Sequence, residues 1–153
     1  MLNKKSILLT FGLITLVGCS SPGPMQTSLG PMNTPAFEPI VLDTVKDGSE
    51  KVLFKEWTTM YENKELQLWG VFFITDNGVY LANWDTRGYE YNLRYKLPIT
   101  ELESISDDTI VRDMWVDSNL LILKDRNGHE VGFALNGKNA ARAILKEVSA
   151  KKI

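Results

Sequence analysis

The chain has 153 residues, of which 44% are apolar and 24% charged, and it carries 4 Trp, 5 Tyr and 6 Phe. This is enough for one ordinary domain with a hydrophobic core and too short for two. The formal net charge of −2 argues against a general nucleic-acid binder, because no basic excess is available to displace counterions from phosphates. One Cys excludes an internal disulfide, and one His excludes a His-rich metal site.

Residues 1–18 have the pattern of a secretory signal peptide. Lys4 and Lys5 give a short positive start, and Ser6 to Val17 is an apolar run of 12 residues. A membrane-spanning helix needs roughly 20 apolar residues, so this run is short for an anchor. Its length, its basic flank and the small residues after it favour a signal that is removed.

The apolar run ends in Leu16-Val17-Gly18-Cys19, which resembles the lipobox of bacterial lipoproteins. In that family a signal peptidase cuts before the Cys, here between Gly18 and Cys19, and the thiol receives a diacylglyceryl group. In Gram-negative bacteria the new amino end also receives an acyl chain such as palmitate. The alternative is an ordinary buried Cys, which would leave a bare thiol in an oxidising compartment. Because several acyl chains bind a bilayer firmly, the resemblance predicts a protein that is anchored to a membrane without spanning it.

The residue after Cys19 bears on the final membrane. In the Gram-negative family an Asp there favours the inner membrane, so Ser20 implies the outer membrane with the domain facing the periplasm. A Gram-positive host would place the domain on the outer face of its only membrane. Removal of residues 1–18 takes away Lys4 and Lys5 and leaves 15 basic and 19 acidic residues, a charge of −4. This charge gives no attraction to anionic headgroups, so the acyl chains must attach the mature protein to the membrane.

Residues 19–40 are predicted to be the lipidated Cys and a Pro-rich tether. Five of the six prolines lie between Ser20 and Ile40, where they deny the backbone donors and favour extended conformers. About twenty such residues span on the order of 60 Å as polyproline II or about 25 Å as a flexible coil. We interpret the segment as a spacer, and the alternative is a Pro-rich recognition ligand.

In residues 41–153, segments of alternating apolar and polar residues are separated by turn signals, and the last segment has helical spacing. This pattern predicts a small antiparallel sheet that ends in a helix. Asn77-Gly78 and Asn127-Gly128 predict two tight hairpins of the same kind, because Asn-Gly tolerates φ > 0 at both central positions of the turn. The strand predicted at residues 66–74 is expected to be covered on both faces for part of its length. The clearer predicted strands are 66–74, 79–84, 91–97, 120–124 and 130–135, and the weaker ones are 52–58, 102–106 and 110–116.

The C-terminal segment has the spacing of an amphipathic helix. Ala141, Ile144, Leu145 and Val148 fall on one helical face, and Asn136 or Asn139 is expected to cap the start. Residues 68–81, 97–105 and 140–148 resemble the hairpin, the Pro-containing segment and the final helix of pleckstrin-homology (PH)-like and GRAM-type domains. The resemblance implies a small antiparallel barrel of about seven strands capped by one helix. A lipocalin barrel needs more chain, and an OB-fold usually places its helix inside the strand series.

Few residues are candidates for catalysis or metal binding. His129 follows a hairpin turn with no nucleophile or metal partner nearby in sequence, and Asp125 to Gly128 lacks the further ligands of a calcium loop. Asp107-Asp108, with Glu101 and Glu103 before them, is interpreted as a solvated loop, and the alternative is a weak site for a divalent ion. Motifs of common hydrolases and nucleotide enzymes are missing. We therefore expect a protein that is not an enzyme and has no catalytic residue, metal or cofactor.

The expected activity is the binding of another protein in the cell envelope. PH domains that bind phosphoinositides use basic residues in the loop after their first strand, whereas the corresponding residues 59–65 hold one Lys between two Glu. Arg87, Tyr89 and Tyr91 are predicted to lie in a loop that contacts a protein partner, because aromatics with Arg are favoured at interfaces. Two alternatives remain: a carrier or sensor of a small apolar ligand or lipid, and an enzyme with a carboxylate cleft.

Overall fold

The structure is a computed structural model that describes residues 50–152 except residues 86, 89, 113 and 114. The predicted signal peptide, the lipobox, the tether and the first nine residues of the predicted domain lie outside the described residues. Within the described part of the chain, no helix has both the length and the apolar character needed to cross a bilayer.

The described chain forms one seven-stranded antiparallel sheet followed by a helix. The spatial order is β4-β3-β2-β1-β7-β6-β5, so β1 joins the two halves by pairing with β2 and with β7. This confirms the predicted fold class, mainly β with a C-terminal helix. The elements are β1 Val52–Glu62, β2 Glu65–Thr75, β3 Gly78–Asp85, β4 Glu90–Pro98, a 3₁₀ turn Ile99–Glu101, β5 Leu102–Arg112, β6 Trp115–Asp125, β7 Glu130–Phe133 and α1 Lys138–Ala150.

The inner cluster, the hydrophobic core between the curled sheet and α1, draws side chains from both halves of the sheet. The Phe133 ring centroid lies 4.8 Å from that of Phe72 in β2 and 5.3 Å from that of Tyr95 in β4. The helix contributes its predicted face to the same cluster, through three buried residues. These are Ala141, Leu145 and Val148.

The hairpins are in the predicted places, but their turn geometry is not all as predicted. Asn77 and Gly78 do not have positive φ; instead the Thr75 hydroxyl oxygen accepts hydrogen bonds from both of their N–H groups, each at 3.1 Å. The positive-φ pair is Asn63 (51°) and Lys64 (64°), between β1 and β2. The loop predicted over residues 59–65 is therefore wrong, because the first four of these residues continue β1.

The weak strand predicted at 102–106 is confirmed, but the loop predicted at Asp107-Asp108 is wrong, and the strand predicted at 110–116 covers the end of one strand and the start of the next. Residues 102–112 form a single strand, β5, with Asp107 and Asp108 in its middle, and the next strand begins at Trp115. Ion pairs explain why two adjacent carboxylates remain in a strand: Asp107 contacts Arg142 and Lys138 of α1, and Asp108 contacts Lys64.

The start of α1 is held by a side chain from a distant strand. Gly137 occupies the N-cap position without a side-chain cap, so the predicted capping by Asn136 or Asn139 is wrong. The Glu56 carboxylate of β1 accepts hydrogen bonds from the N–H groups of Asn136 at 2.6 Å and Gly137 at 2.8 Å. An anion at this position also suits the positive end of the helix dipole.

Candidate partner-binding surface

The sheet half made by β1–β4 carries a second hydrophobic layer on the face opposite the inner cluster. We call this layer the outer cluster; it consists of Val71, Phe73, Tyr80, Ala82 and Tyr91. The Phe73 and Tyr80 rings stack with centroids 5.0 Å apart. Residues 71–75 of β2 are all buried, which confirms that this strand is covered on both faces for part of its length.

The three residues predicted to contact a partner have different environments. Tyr91 lies in β4 within the outer cluster, where it is 6% exposed and burial raises the pKa of its hydroxyl to about 12. Arg87 is exposed, and its N–H donates to Asp85 Oδ1 at 2.8 Å. Tyr89 lies outside the described residues. The structure thus separates Tyr91 from the exposed loop, and contact through Arg87 and Tyr89 stays a prediction.

The acidic side chains of β5 are paired with cations. Hydrogen bonds from Arg142 and Lys138 hold the pKa of Asp107 below its usual value, and Lys64 does the same for Asp108. Lys124 Nζ lies 3.1 Å from Glu103 Oε2. Among the described residues, no group of three or more acidic, His or Cys side chains is placed to hold a metal ion.

His129 lies on the surface, as a turn residue should. Its Nε2 is 3.7 Å from Glu62 Oε1, and its side chain is 56% exposed. Its backbone N–H donates to Asp125 Oδ1 at 2.9 Å, and this bond lowers the pKa of Asp125. The contacts of this histidine stabilise a hairpin turn.

An open trough of about 370 Å³ lies between the start of β5 and the end of α1. β5 lies at the end of the sheet order and pairs only with β6 among the described strands, so its other edge faces away from the sheet. The Ser149 hydroxyl is buried and has no hydrogen-bond partner in the described part of the chain. The trough is lined by Leu102, Glu103, Ser104, Ile105, Lys146, Ser149 and Ala150.

A second depression of about 280 Å³ continues the trough. It shares Leu102 and Ser149 with the first and adds Arg126 and Lys152 at its rim. Together with Lys146, these residues give the continuous trough three cationic side chains. Its one acidic residue, Glu103, is already bound by Lys124. The trough therefore combines an apolar floor with a positive rim.

The fold positions the trough through contacts that are distant in sequence. Asp107 in the middle of β5 binds the first half of α1 at Lys138 Nζ (2.9 Å) and Arg142 Nη2 (2.5 Å). Leu102 and Ile105, at the start of the same strand, pack partly against the inner cluster and leave the rest of their surface to the trough. Sequence analysis missed this site, since nothing local pairs residues 102–105 with 146–150.

Two other surface features are less suited to hold a partner. A depression of about 360 Å³ on the outer face of β1, β6 and β7 has the Lys64–Asp108 ion pair at its rim, with Lys64 Nζ 3.0 Å from Asp108 Oδ2. Leu66 and Trp69 of β2 are 42% and 57% exposed. They lie in the part of β2 that is not paired with β3 in the described ladders.

Comparison with solved structures identifies the fold. The C-terminal domain of an unknown protein from Leishmania infantum matches with a TM-score of 0.55 and 15% identity, over 74% of this chain and 98% of that chain. The match agrees with the architecture described above, in which seven antiparallel strands of one sheet are followed by a C-terminal helix. The chain has a PH-like fold.

Other similar structures are more distant, and sequence comparisons add nothing. An inhibitor-bound Vav1 structure has a TM-score of 0.48 and 13% identity over 65% of this chain, which spans only 27% of that one. The Slm1-PH domain in complex with phosphoserine has a TM-score of 0.44 and 12% identity, over 63% of this chain and 91% of that one. Neither a family model nor a curated protein matches the sequence.

Proposed function

We propose that this protein is a lipid-anchored lipoprotein of the bacterial envelope whose PH-like domain binds an extended protein segment without catalysing a reaction. The observation that carries the proposal is the edge of β5 that pairs with no other described strand and lies beside the apolar, positively rimmed trough. A strand edge presents N–H and C=O groups that a second extended chain can pair with.

The lining of the trough specifies the chemistry of the partner. Apolar side chains that project from an added strand would contact Leu102, Ile105 and Ala150. Carboxylates that flank them would meet Arg126 and Lys146. We therefore expect an extended segment that combines apolar and acidic residues, because electrostatic complementarity sets specificity and association rate.

The sequence supports the anchoring part of the proposal. Leu16-Val17-Gly18-Cys19 matches the lipobox at all four positions, and the Pro-rich residues after it provide a spacer of about 25 to 60 Å. Ser20 favours the outer membrane in a Gram-negative host. Binding at the membrane surface also benefits from the high effective concentration that anchoring gives.

Crosslinking in intact cells tests the binding site. Arg126→Glu with Lys146→Glu reverses two charges at the trough and is expected to reduce crosslinking to the partner about tenfold, the equivalent of about 1.4 kcal/mol. Arg94→Glu with Lys96→Glu is the matched control, since both residues are exposed on β4 at the opposite end of the sheet.

The possible outcomes distinguish a binding site at the edge of β5 from one at the edge of β4. Loss only in the Arg126/Lys146 variant supports the trough. Loss only in the Arg94/Lys96 variant would move the site to β4 and favour the contact predicted through Arg87 and Tyr89. Unchanged crosslinking in both variants would contradict the proposal, and Arg87→Ala with Tyr89→Ala then tests the loop by itself.

Replacement of Cys19 by Ala tests the anchor. The exported wild-type protein should require detergent for extraction, and the variant should be released in aqueous buffer because it has no acyl chains. Extraction of both proteins only by detergent would refute lipidation as the means of attachment. The charge-reversal variants serve as controls, because they keep the lipobox.

The alternative function as a carrier of an apolar ligand needs space between the sheet and the helix. In the described chain this region is filled by fully buried side chains, including Phe72, Phe133, Leu121 and Leu145. The cavities described above are instead open at the surface. Solvent extraction of the purified protein followed by mass spectrometry tests the alternative, and stoichiometric lipid would support it.

A further inference from the structure

The second depression lies where backbone pairing along β5 stops. β5 begins at Leu102, and the three residues before it form the 3₁₀ turn. Backbone hydrogen bonds fix both ends of this turn. The Ile99 N–H donates to Asn77 O at 2.8 Å, and the Glu101 carbonyl accepts from the Arg126 N–H at 3.0 Å. An extended segment added to the β5 edge therefore has no described strand to pair with beyond Leu102, and that end of the segment lies beside the second depression.

The lining of the second depression is cationic and polar, without a competing carboxylate. Its volume of about 280 Å³ is slightly below the range of about 300 to 1,000 Å³ of pockets that hold whole small molecules, so it suits one group of a larger ligand. The described lining residues include two cations and two hydroxyl side chains but neither Asp nor Glu. They are Ile99, Thr100, Leu102, Arg126, Ser149 and Lys152.

Two features prepare the second depression for an anion. Lys152 Nζ donates to Asn77 Oδ1, so the residue that holds the 3₁₀ turn through its backbone also holds this cation through its side chain. The Ser149 hydroxyl is buried without a hydrogen-bond partner in the described part of the chain. A buried donor without an acceptor costs free energy, so a ligand oxygen that accepts from it recovers that cost.

We propose that the second depression binds the free C-terminal carboxylate of the segment that occupies the trough. The carboxylate meets Arg126 and Lys152 and accepts a hydrogen bond from the Ser149 hydroxyl. The final side chain of the segment contacts Ile99 and Leu102, so we expect it to be apolar. Hydrogen bonds between cations and a carboxylate are stronger than neutral ones, and a chain end places such a group where the ladder stops.

This inference deepens the proposed function and rests on it, because it takes the trough as the place of an extended partner. It restricts the partner to proteins whose chain ends in an apolar residue with a free carboxylate. It also gives the direction of the partner chain. Since the last residue of the partner lies where β5 begins, the added strand runs antiparallel to β5.

N-acetylleucine and N-acetylleucinamide test the second depression, because they share an apolar side chain and differ in the carboxylate. In an NMR titration of the isotope-labelled full-length protein in detergent, the acid should bind about tenfold more tightly than the amide. Its chemical-shift changes should centre on Arg126, Ser149 and Lys152. Equal binding of the two probes, binding of neither, or changes centred elsewhere would overturn the proposal. Inorganic phosphate is the third probe, and tighter binding of phosphate than of the acid would also overturn it.

Substitutions test the residues that hold the carboxylate. Arg126→Gln should weaken binding of N-acetylleucine about tenfold. Lys146→Gln is the matched control, since Lys146 lines the trough but not the second depression. Ser149→Ala should also weaken binding without lowering the thermal unfolding midpoint, because it removes a buried hydroxyl that has no described partner. Equal affinities in the two glutamine variants, or a serine variant that is less stable and binds normally, would contradict the assignment.

The subsite and the proposed function fail on different results. If crosslinking in cells depends on Arg126 and Lys146 but the acid binds no better than the amide, the trough is the partner site and the carboxylate subsite is wrong. If the acid binds at the second depression but crosslinking does not depend on these cations, the proposed function fails, although the second depression is a carboxylate site.

Discussion

Neighbouring atoms approach Gly70 and Gly78, in the β2–β3 hairpin, so closely that a side chain at either position would clash with them. A Cβ atom on Gly78 would lie 2.7 Å from Tyr80 Oη, the hydroxyl that binds Glu50. A Cβ atom on Gly70 would lie 2.6 Å from the carbonyl oxygen of Ala82. The sequence indicated Gly78 as a turn residue with positive φ, but its actual role depends on a side chain two residues away.

Gly70→Ala should destabilise the domain. The contact is with backbone of β3, which cannot rotate away as a side chain can, so we expect a loss of about 1 to 3 kcal/mol in the free energy of unfolding. Urea denaturation measures the change. Gly88→Ala is the control, because its added methyl group would meet only the Glu90 side chain at 3.3 Å or more. An equal loss in both variants would show that the close approach at Gly70 is not responsible.

At the scale of elements, the contact between β1 and the start of α1 links the first strand to the last helix. Glu56→Ala removes both hydrogen bonds to the N–H groups of Asn136 and Gly137. We expect a loss of about 2 to 3 kcal/mol in unfolding free energy, since hydrogen bonds to charged groups contribute more than neutral ones. Glu65→Ala is the control, because Glu65 is exposed at the start of β2. Hydrogen exchange should show loss of protection mainly in the first turn of α1, and unchanged protection there would contradict the capping role.

The contact between β5 and α1 should depend on pH. Hydrogen bonds from Arg142 and Lys138 lower the pKa of folded Asp107, so its contribution to stability is present above the unfolded pKa and is lost as pH falls through the folded pKa. Because the pair is exposed, we expect Asp107→Asn to cost no more than about 1 kcal/mol at neutral pH. Denaturation at pH 7 and at about pH 2 measures the difference, which should vanish at the lower pH. A difference that grew with acidity would contradict this assignment, and Glu65→Gln is the control.

The elements that could be predicted from sequence are those with local signals. Alternation located the long central strands, Asn-Gly located two hairpins, and the spacing from Ala141 to Val148 gave the face of α1. The continuity of β5 could not be predicted, because it depends on cations at Lys64, Lys138 and Arg142 that neutralise its carboxylates. The cap from Glu56 and the trough were also missed, because Glu56 binds Gly137 and residues 102–105 lie beside residues 146–150, contacts that no local pattern in the sequence indicates.

At the scale of the whole molecule, the two sheet faces and the two sheet ends have different roles. One face of β1–β4 contributes to the inner cluster under α1, and the other carries the outer cluster. The β5 end of the sheet borders the trough, whereas the β4 end lies beside the exposed turn at Arg87. Because the trough is open at the surface and lies at the β5 end of the sheet, a partner could bind there without contacting the outer cluster.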